Sequence, residues 1–325
     1  MPDVIALGMP VMDLLMQIDH LPTFNQGAHT IDSSWQYGGK VASAIVAVAR
    51  LGHSGGIVAP IGGLAGQYIK ADFDRHGVDT SRLVDPNDGS ESPFCLCLAD
   101  ESTGGRSILV ISKGKGVKMP LPEELDRAYL TSGKYLLISG GEPASAAAVA
   151  WCREAGVPVV IDADGYSDDI RSLLPLIDHF IPSEFFYEHI FGNDDDYEKN
   201  LHLLRAEQKN QHATTIVTLG ERGVAGIDDM GEYFTVPAYQ VKVIDTTGAG
   251  DVFHGAYIVG LLEGMSVKDA CQFASAVAAI KCANLGGRAG VPTMEVTKKF
   301  MQTGQIDSTE IDERIAYYRK IPFKG

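Results

Sequence analysis

Asp245-Thr246-Thr247-Gly248-Ala249-Gly250-Asp251 runs directly into Val252-Phe253-His254-Gly255-Ala256-Tyr257-Ile258-Val259-Gly260-Leu261-Leu262, a long apolar helical pattern. Residues 241–244 before it read as the end of a strand, so a loop of small residues opens a helix. Glycines let a ligand approach the backbone closely, and the unpaired N–H groups of a helix start can hold phosphate oxygens. A carboxylate beside such a hole repels phosphate, so phosphate binding does not explain Asp251. Local chemistry leaves two other readings open for it, a general base and a helix cap. Phosphoryl transfer needs an acceptor oxygen held in line, removal of its proton and stabilisation of spreading negative charge. Asp251 and the amides of Gly248, Ala249 and Gly250 match the last two needs.

Upstream of this loop, short apolar runs alternate with helical patterns. Residues 4–7, 56–61, 135–138, 157–161, 179–181 and 214–219 read as buried strands. Residues 40–51 carry Val41, Ala44, Ile45, Val48 and Leu51 at helical spacing before Gly52, and a second helix starts on Pro143 and stops before Gly156. This alternation predicts an α/β fold, a doubly wound, mostly parallel sheet flanked by helices, with ligands at the carboxyl ends of its strands. Two regions break the pattern, residues 12–37 and 92–112. In the second, Phe94, Leu96 and Leu98 alternate with Cys95, Cys97 and Ala99. Both are expected to form a small β-sheet lid on a single domain spanning residues 1–325. After Gly248 the chain reads as helical, at 252–262, 267–282, 296–301 and 311–318.

Composition narrows the function. Lys and Arg number 27 against 42 Asp and Glu, a formal net charge of −15, which disfavours a broad grip on nucleic acid or an anionic membrane. An anionic ligand then needs a local site built from backbone amides. The five cysteines, Cys95, Cys97, Cys152, Cys271 and Cys282, are odd in number and sit in apolar runs, as expected of reduced core thiols in a cytoplasmic protein. No window reaches the roughly 18 apolar residues of a spanning helix, and the N-terminus lacks a leader pattern. His179, His189, His202 and His212 share no metal-ligand spacing.

The run from Asp245 to Phe253 closely resembles the C-terminal signature of the ribokinase/PfkB family of carbohydrate kinases. Gly8 and Asp13, Gly38-Gly39-Lys40, Thr218-Leu219-Gly220-Glu221-Arg222-Gly223 and Gly286-Gly287-Arg288-Ala289-Gly290 follow in that family's order. The resemblance implies a ribokinase-like fold and transfer of the γ-phosphate of ATP to a sugar hydroxyl. It makes Asp251 the base and Gly248, Ala249 and Gly250 the anion hole. Substrate contacts would come from Asp13, Gly38, Gly39, Lys40 and Ser43, with Glu142 nearby. Thr218, Gly220 and Gly223 would lie on the nucleotide side, and Asn284 near the adenine. Mg²⁺ is expected with the ATP. A site for K⁺ would take oxygens from Asp245 and Thr247, although Asp245 reads equally well as the residue that orders its own turn. A homodimer through the lid is the assembly this resemblance implies.

The chain also departs from the family pattern. Ser43 stands where an Asn is usual, which changes the hydroxyl geometry a pocket can read. Phe186 stands where a Glu usually attends Mg²⁺, which leaves Glu184 and Asp162 to orient metal-bound waters, with a solvated cap as the other reading of Asp162. The tail from Phe253-His254-Gly255 to Gly286-Gly287-Arg288-Ala289-Gly290 resembles family branches that act on ketohexoses and their derivatives, a resemblance that favours a hexose over ribose. A nucleoside kinase and a catalytically silent sugar sensor are the alternatives. Arg106, within the lid, would either close over the phosphates or pair at a surface.

Overall fold

The computed structural model of the protein describes residues 1–103, 105–111 and 114–320. The first half of the chain runs β1 (Val4–Leu7), β2 (Val11–Ile18), β3 (Thr30–Gly38), α1 (Lys40–Arg50), β4 (Gly55–Pro60), α2 (Gly63–Arg75), β5 (Asp79–Val84), β6 (Phe94–Asp100), β7 (Arg106–Ile111), α3 (Arg127–Leu130), β8 (Tyr135–Ile138) and α4 (Pro143–Ala155). The second half runs β9 (Val159–Ala163), α5 (Asp168–Leu173), β10 (His179–Pro182), α6 (Glu184–Phe191), α7 (Tyr197–Arg205), β11 (Thr214–Thr218), β12 (Val224–Ile227), β13 (Tyr233–Val236), α8 (Ala249–Leu262), α9 (Val267–Cys282), α10 (Met294–Thr303) and α11 (Thr309–Tyr318).

Nine strands form one sheet in the order β13-β12-β11-β10-β9-β8-β1-β4-β5. All neighbours are parallel except the β11–β12 and β12–β13 pairs at one edge. Because β1 is buried on both faces, its side chains divide by period two. Val4 and Ala6 pack with Ile45 and Val48 of α1 and Phe253 of α8. Ile5 and Leu7 pack on the other face with Val149 and Cys152 of α4 and Leu201 of α7. Each such aliphatic side chain, fully buried, contributes about 1.5–3 kcal/mol. Strand order reverses around β1, which opens a crevice at the carboxyl ends of β1 and β8, the usual place for a ligand in such a sheet.

The second sheet, β3-β2-β6-β7, is the lid. Strands β2 and β3 overrun the expected 12–37 window by one residue at each end, Val11 and Gly38, and β6 and β7 lie within 92–112, of which Ser112 lies outside the described residues. The Cys95, Cys97 and Ala99 face of β6 is the one that turns inward, onto Leu15 and Leu285, while Phe94, Leu96 and Leu98 stay partly exposed. All five cysteines are free and buried.

Three local expectations need correction. Residues 241–244 form no strand; Val241 packs against the α9–α10 layer with Ala276, Ile280 and Phe300, and the Ile244 N–H donates to the Cys282 carbonyl at the end of α9. Strand β9 begins at Val159, two residues late, because the Val157 N–H closes back onto the Cys152 carbonyl (2.8 Å) after the left-handed Gly156. Helix α8 begins at Ala249, three residues early, with Gly248 in the left-handed conformation (φ 75°) at its N-cap. Asp251 therefore sits inside the first turn and is not the cap.

Candidate active site

The first turn of α8 presents its amides beside Asp251. The Ala249 N–H donates to the Thr246 carbonyl (3.1 Å) and the Val252 N–H to the Gly248 carbonyl. Among the described residues no acceptor takes the Gly248, Gly250 or Asp251 N–H, so these three amides, unlike that of Ala249, are unpaired. Gly248 lies against Gly287; a Cβ at Gly248 would come within 3.0 Å of the Gly287 Cα. The loop and the glycine-rich segment after α9 thus pack backbone to backbone, which only glycines allow.

Burial pushes the Asp251 carboxyl well above the usual carboxylate range, and Asp162 adds to this while His254 and Lys40 oppose it. Asp162 lies at the end of β9, almost fully buried, with its Oδ2 3.6 Å from His254 Nδ1. The same Nδ1 donates to the Gly250 carbonyl (2.6 Å), and Nε2 faces the Ile181 carbonyl. His254 therefore ties the loop to two strand ends. The sequence assigns it no role, although its place three residues after Asp251 puts both on one helix face.

Asp13 enters from the lid, on β2 opposite Gln36. It is 7% exposed, and burial pushes its carboxyl up to about 7, with Arg288 opposing and Asp251 and Asp245 adding to the shift. A Cβ on Gly38 would overlap Asp13 Oδ2, so that glycine is what gives the carboxylate its room. Gly39, at φ 94°, lies hard against the Met9 carbonyl and caps α1. Lys40 begins that helix and reaches Asp164 Oδ2 at 3.4 Å. Ser43 Oγ, one turn on, is buried without a hydrogen-bond partner among the described residues, leaving its hydroxyl available to a ligand.

Asp245 is held on all sides. Oδ1 accepts the Thr247 N–H and Oδ2 the Gly286 N–H, both at 2.8 Å. Lys281 Nζ donates to its backbone carbonyl (2.7 Å). Burial works to raise its carboxyl, but the Lys281 charge and these hydrogen bonds outweigh it and hold the group below the ordinary range. Arg106 Nη1 of the lid donates to Thr246 Oγ1 (3.0 Å), so the lid touches the loop directly.

The remaining expected residues are dispersed. Glu142 accepts from Ser145 Oγ (2.7 Å) at the start of α4. Thr218 ends β11, and the turn Gly220–Arg222 that follows closes on Gly223 (φ 89°), which abuts the Val236 carbonyl. Glu184 is paired with Arg222 of that turn, and Arg222 also donates to Tyr197 Oη (2.9 Å). Asn284 Nδ2 bonds the Ile280 carbonyl (3.1 Å). Phe186 is fully buried, its ring 5.3 Å from Phe180. Among the described residues no cluster of three or more His, Cys, Asp or Glu could hold a metal ion.

Comparison with known proteins identifies the family. The model of the pfkB family of carbohydrate kinases matches residues 1–294. A ribokinase of Haemophilus influenzae is 28% identical over 82% of this chain and 87% of its own length. A 5-dehydro-2-deoxygluconokinase of Shouchella clausii is 27% identical over 92% and 95%. The solved structure of Arabidopsis thaliana ribokinase complexed with ribose and ATP has a TM-score of 0.75 at 21% identity, covering 93% of this chain and 99% of that one; at that identity the likeness speaks for the fold.

Proposed function

The chain belongs to the pfkB family of carbohydrate kinases, and on that premise we propose that it moves the γ-phosphate of ATP to a hydroxyl of a hexose-type sugar or sugar derivative, with Asp251 as the base. The observation that carries this reading is the approach of two carboxyls beside unpaired helix N–H groups: Asp13 from the lid, buried and within the field of Asp251, and Asp251 itself, half-buried at the start of α8. Asp13 accepts a hydrogen bond from the sugar and fixes the reacting hydroxyl in line. A carboxyl raised toward neutrality is a stronger base when ionised, and Asp251 takes the hydroxyl proton as the bond to phosphorus forms. The Gly250 and Asp251 N–H groups then donate to the phosphoryl oxygens, where charge spreads. Lys40 and Arg106 add positive charge at the rim of the same cleft.

The donor set fits Mg²⁺ delivered by the nucleotide rather than held by a resident protein site, with Asp162 orienting its waters; when bound, the ion neutralises phosphate charge. Ser43, with a free hydroxyl in place of an amide, favours an acceptor other than ribose. The names of the relatives span ribokinase, 5-dehydro-2-deoxygluconokinase and, in Mus musculus, ketohexokinase. Edge strand β7 leaves Ile108, Leu109, Val110 and Ile111 exposed, a surface suited to pairing two lids in a homodimer.

A panel of ketohexoses, sugar acids, pentoses and nucleosides, screened for substrate-dependent ADP formation, tests the reading. Asp251→Asn is expected to lower kcat by about a thousandfold on the accepted sugar while leaving sugar binding intact. Near-normal turnover by that variant would remove Asp251 from its role.

A further inference from the structure

A lysine in the middle of an apolar helix end demands an account. Lys281, in Ala278-Ala279-Ile280-Lys281-Cys282 near the end of α9, is 0% exposed. The one hydrogen bond of its ammonium among the described residues goes to the Asp245 carbonyl. Asp245 and Thr247 are the two residues expected to offer oxygens to K⁺. The Asp245 carboxylate oxygens are already engaged, Oδ1 with the Thr247 amide and Oδ2 with the Gly286 amide. The Asp245 carbonyl carries the ammonium. These donors do not fit a free monovalent ion.

We propose that the Lys281 ammonium is a tethered monovalent cation that orders the Asp245 turn and thereby positions the Gly250 and Asp251 amides, so that the enzyme works without added K⁺. The chain of contacts is short. Lys281 holds the Asp245 carbonyl; the Asp245 carboxylate holds the Thr247 amide; Thr246 accepts the Ala249 N–H that starts α8. A buried positive charge also favours phosphate in the loop above it. Lys281 is on this account a positioning residue; it touches no substrate atom. The inference rests on the reading of that loop as the transfer site.

The test compares K⁺ with tetramethylammonium at equal ionic strength, for the wild type and for Lys281→Ala. Wild-type kcat is expected to change by less than about twofold, and its thermal midpoint not to depend on which cation is present. Folded Lys281→Ala, with a cavity where the ammonium stood, is expected to lose about tenfold in kcat with KM for sugar little changed, and to recover when K⁺ or NH₄⁺ is added. If Lys281→Ala does not fold, Lys281→Met, which keeps the volume, is measured instead and is expected to lose kcat without cation rescue. A wild-type requirement for K⁺, a K⁺-specific rise in the wild-type midpoint, a substituted enzyme with full kcat in tetramethylammonium, or a folded Lys281→Ala that no cation restores each overturns the proposal. The thermal comparison needs no turnover, so it still decides the matter if the sugar screen finds no acceptor.

Discussion

Asp13 and Asp251 are acids that folding makes weaker, and this has a defined sign. Asp13 has an ordinary value of 3.8 and a folded value of about 7, so its contribution to stability is complete below the ordinary value and is lost as pH rises through 7. Asp245 acts oppositely: it supports the fold above the ordinary carboxylate range and fails it only in acid. Urea midpoints of the wild type should therefore fall between about pH 5 and pH 8, and Asp13→Asn should flatten that slope. The activity profile runs the other way. If Asp251 is the base, as proposed, it must be ionised to accept a proton, and kcat/KM should rise with pH along a limb displaced from the carboxylate range toward neutrality. A limb at the ordinary carboxylate value would contradict the burial argument. Phe186 supplies a third check. Phe186→Glu restores the family's usual residue type but puts a carboxylate into the Phe180 contact, and it should cost about 3 kcal/mol or more in chemical denaturation without improving Mg²⁺ dependence.

At the scale of elements, what could be read from sequence depended on how local the cause was. Pro143 and Gly156 bracket α4 because one is preorganised for a helix start and the other for a left-handed stop, and both effects act within a turn. Val267–Cys282 was readable for the same reason. The β12–β13 hairpin escaped because two four-residue strands, one interrupted by Gly226, carry too few positions for alternation to show. Residues 241–244 misled because an apolar run fits a strand and a helix-covering segment equally well. In the site, Asp13 and Asp251 were readable because motif order marks them, whereas Lys281 and Arg288 were not, since Asp245 and Asp72, the residues that explain them, lie 36 and 216 positions away. One element-level contact has a clear expectation: Arg106→Met severs the bridge from β7 to Thr246, and should raise the sugar KM or lower kcat by about tenfold with little change in thermal midpoint. A large loss of stability would instead make Arg106 a structural residue.

Across the whole molecule, one buried network joins the lid to α2 and to the last helix, α11. Arg288, fully buried, pairs with Asp72 of α2 at 2.5 Å and donates to the Gly38 carbonyl, while Tyr318 of α11 donates to the other Asp72 oxygen (2.6 Å). Gln36 of β3 accepts the Arg288 and Ala289 N–H groups and donates to the Leu285 carbonyl. Breaking a buried ion pair is far costlier than trimming a hydroxyl. Tyr318→Phe should thus cost about 1–2 kcal/mol, measured by urea unfolding, while Asp72→Ala should cost several times more. The lid's exposed β7 belongs to the same scale: Val110→Lys is expected to shift a dimer to monomer in sedimentation, and a wild type already monomeric at assay concentration would remove that surface from the account.

On the proposed reading, the placement of Asp13 on β2 and of Asp251 on α8 divides the labour between two separate pieces of chain. On that reading, substitutions on the strand that grips the acceptor would trade one sugar for another, while the helix start that handles phosphate stays as it is. A single scaffold can in this way be retargeted by changes confined to a small outlying sheet. Water, which brings no array of hydroxyls for that sheet to grip, is left a poor acceptor even though it fits anywhere.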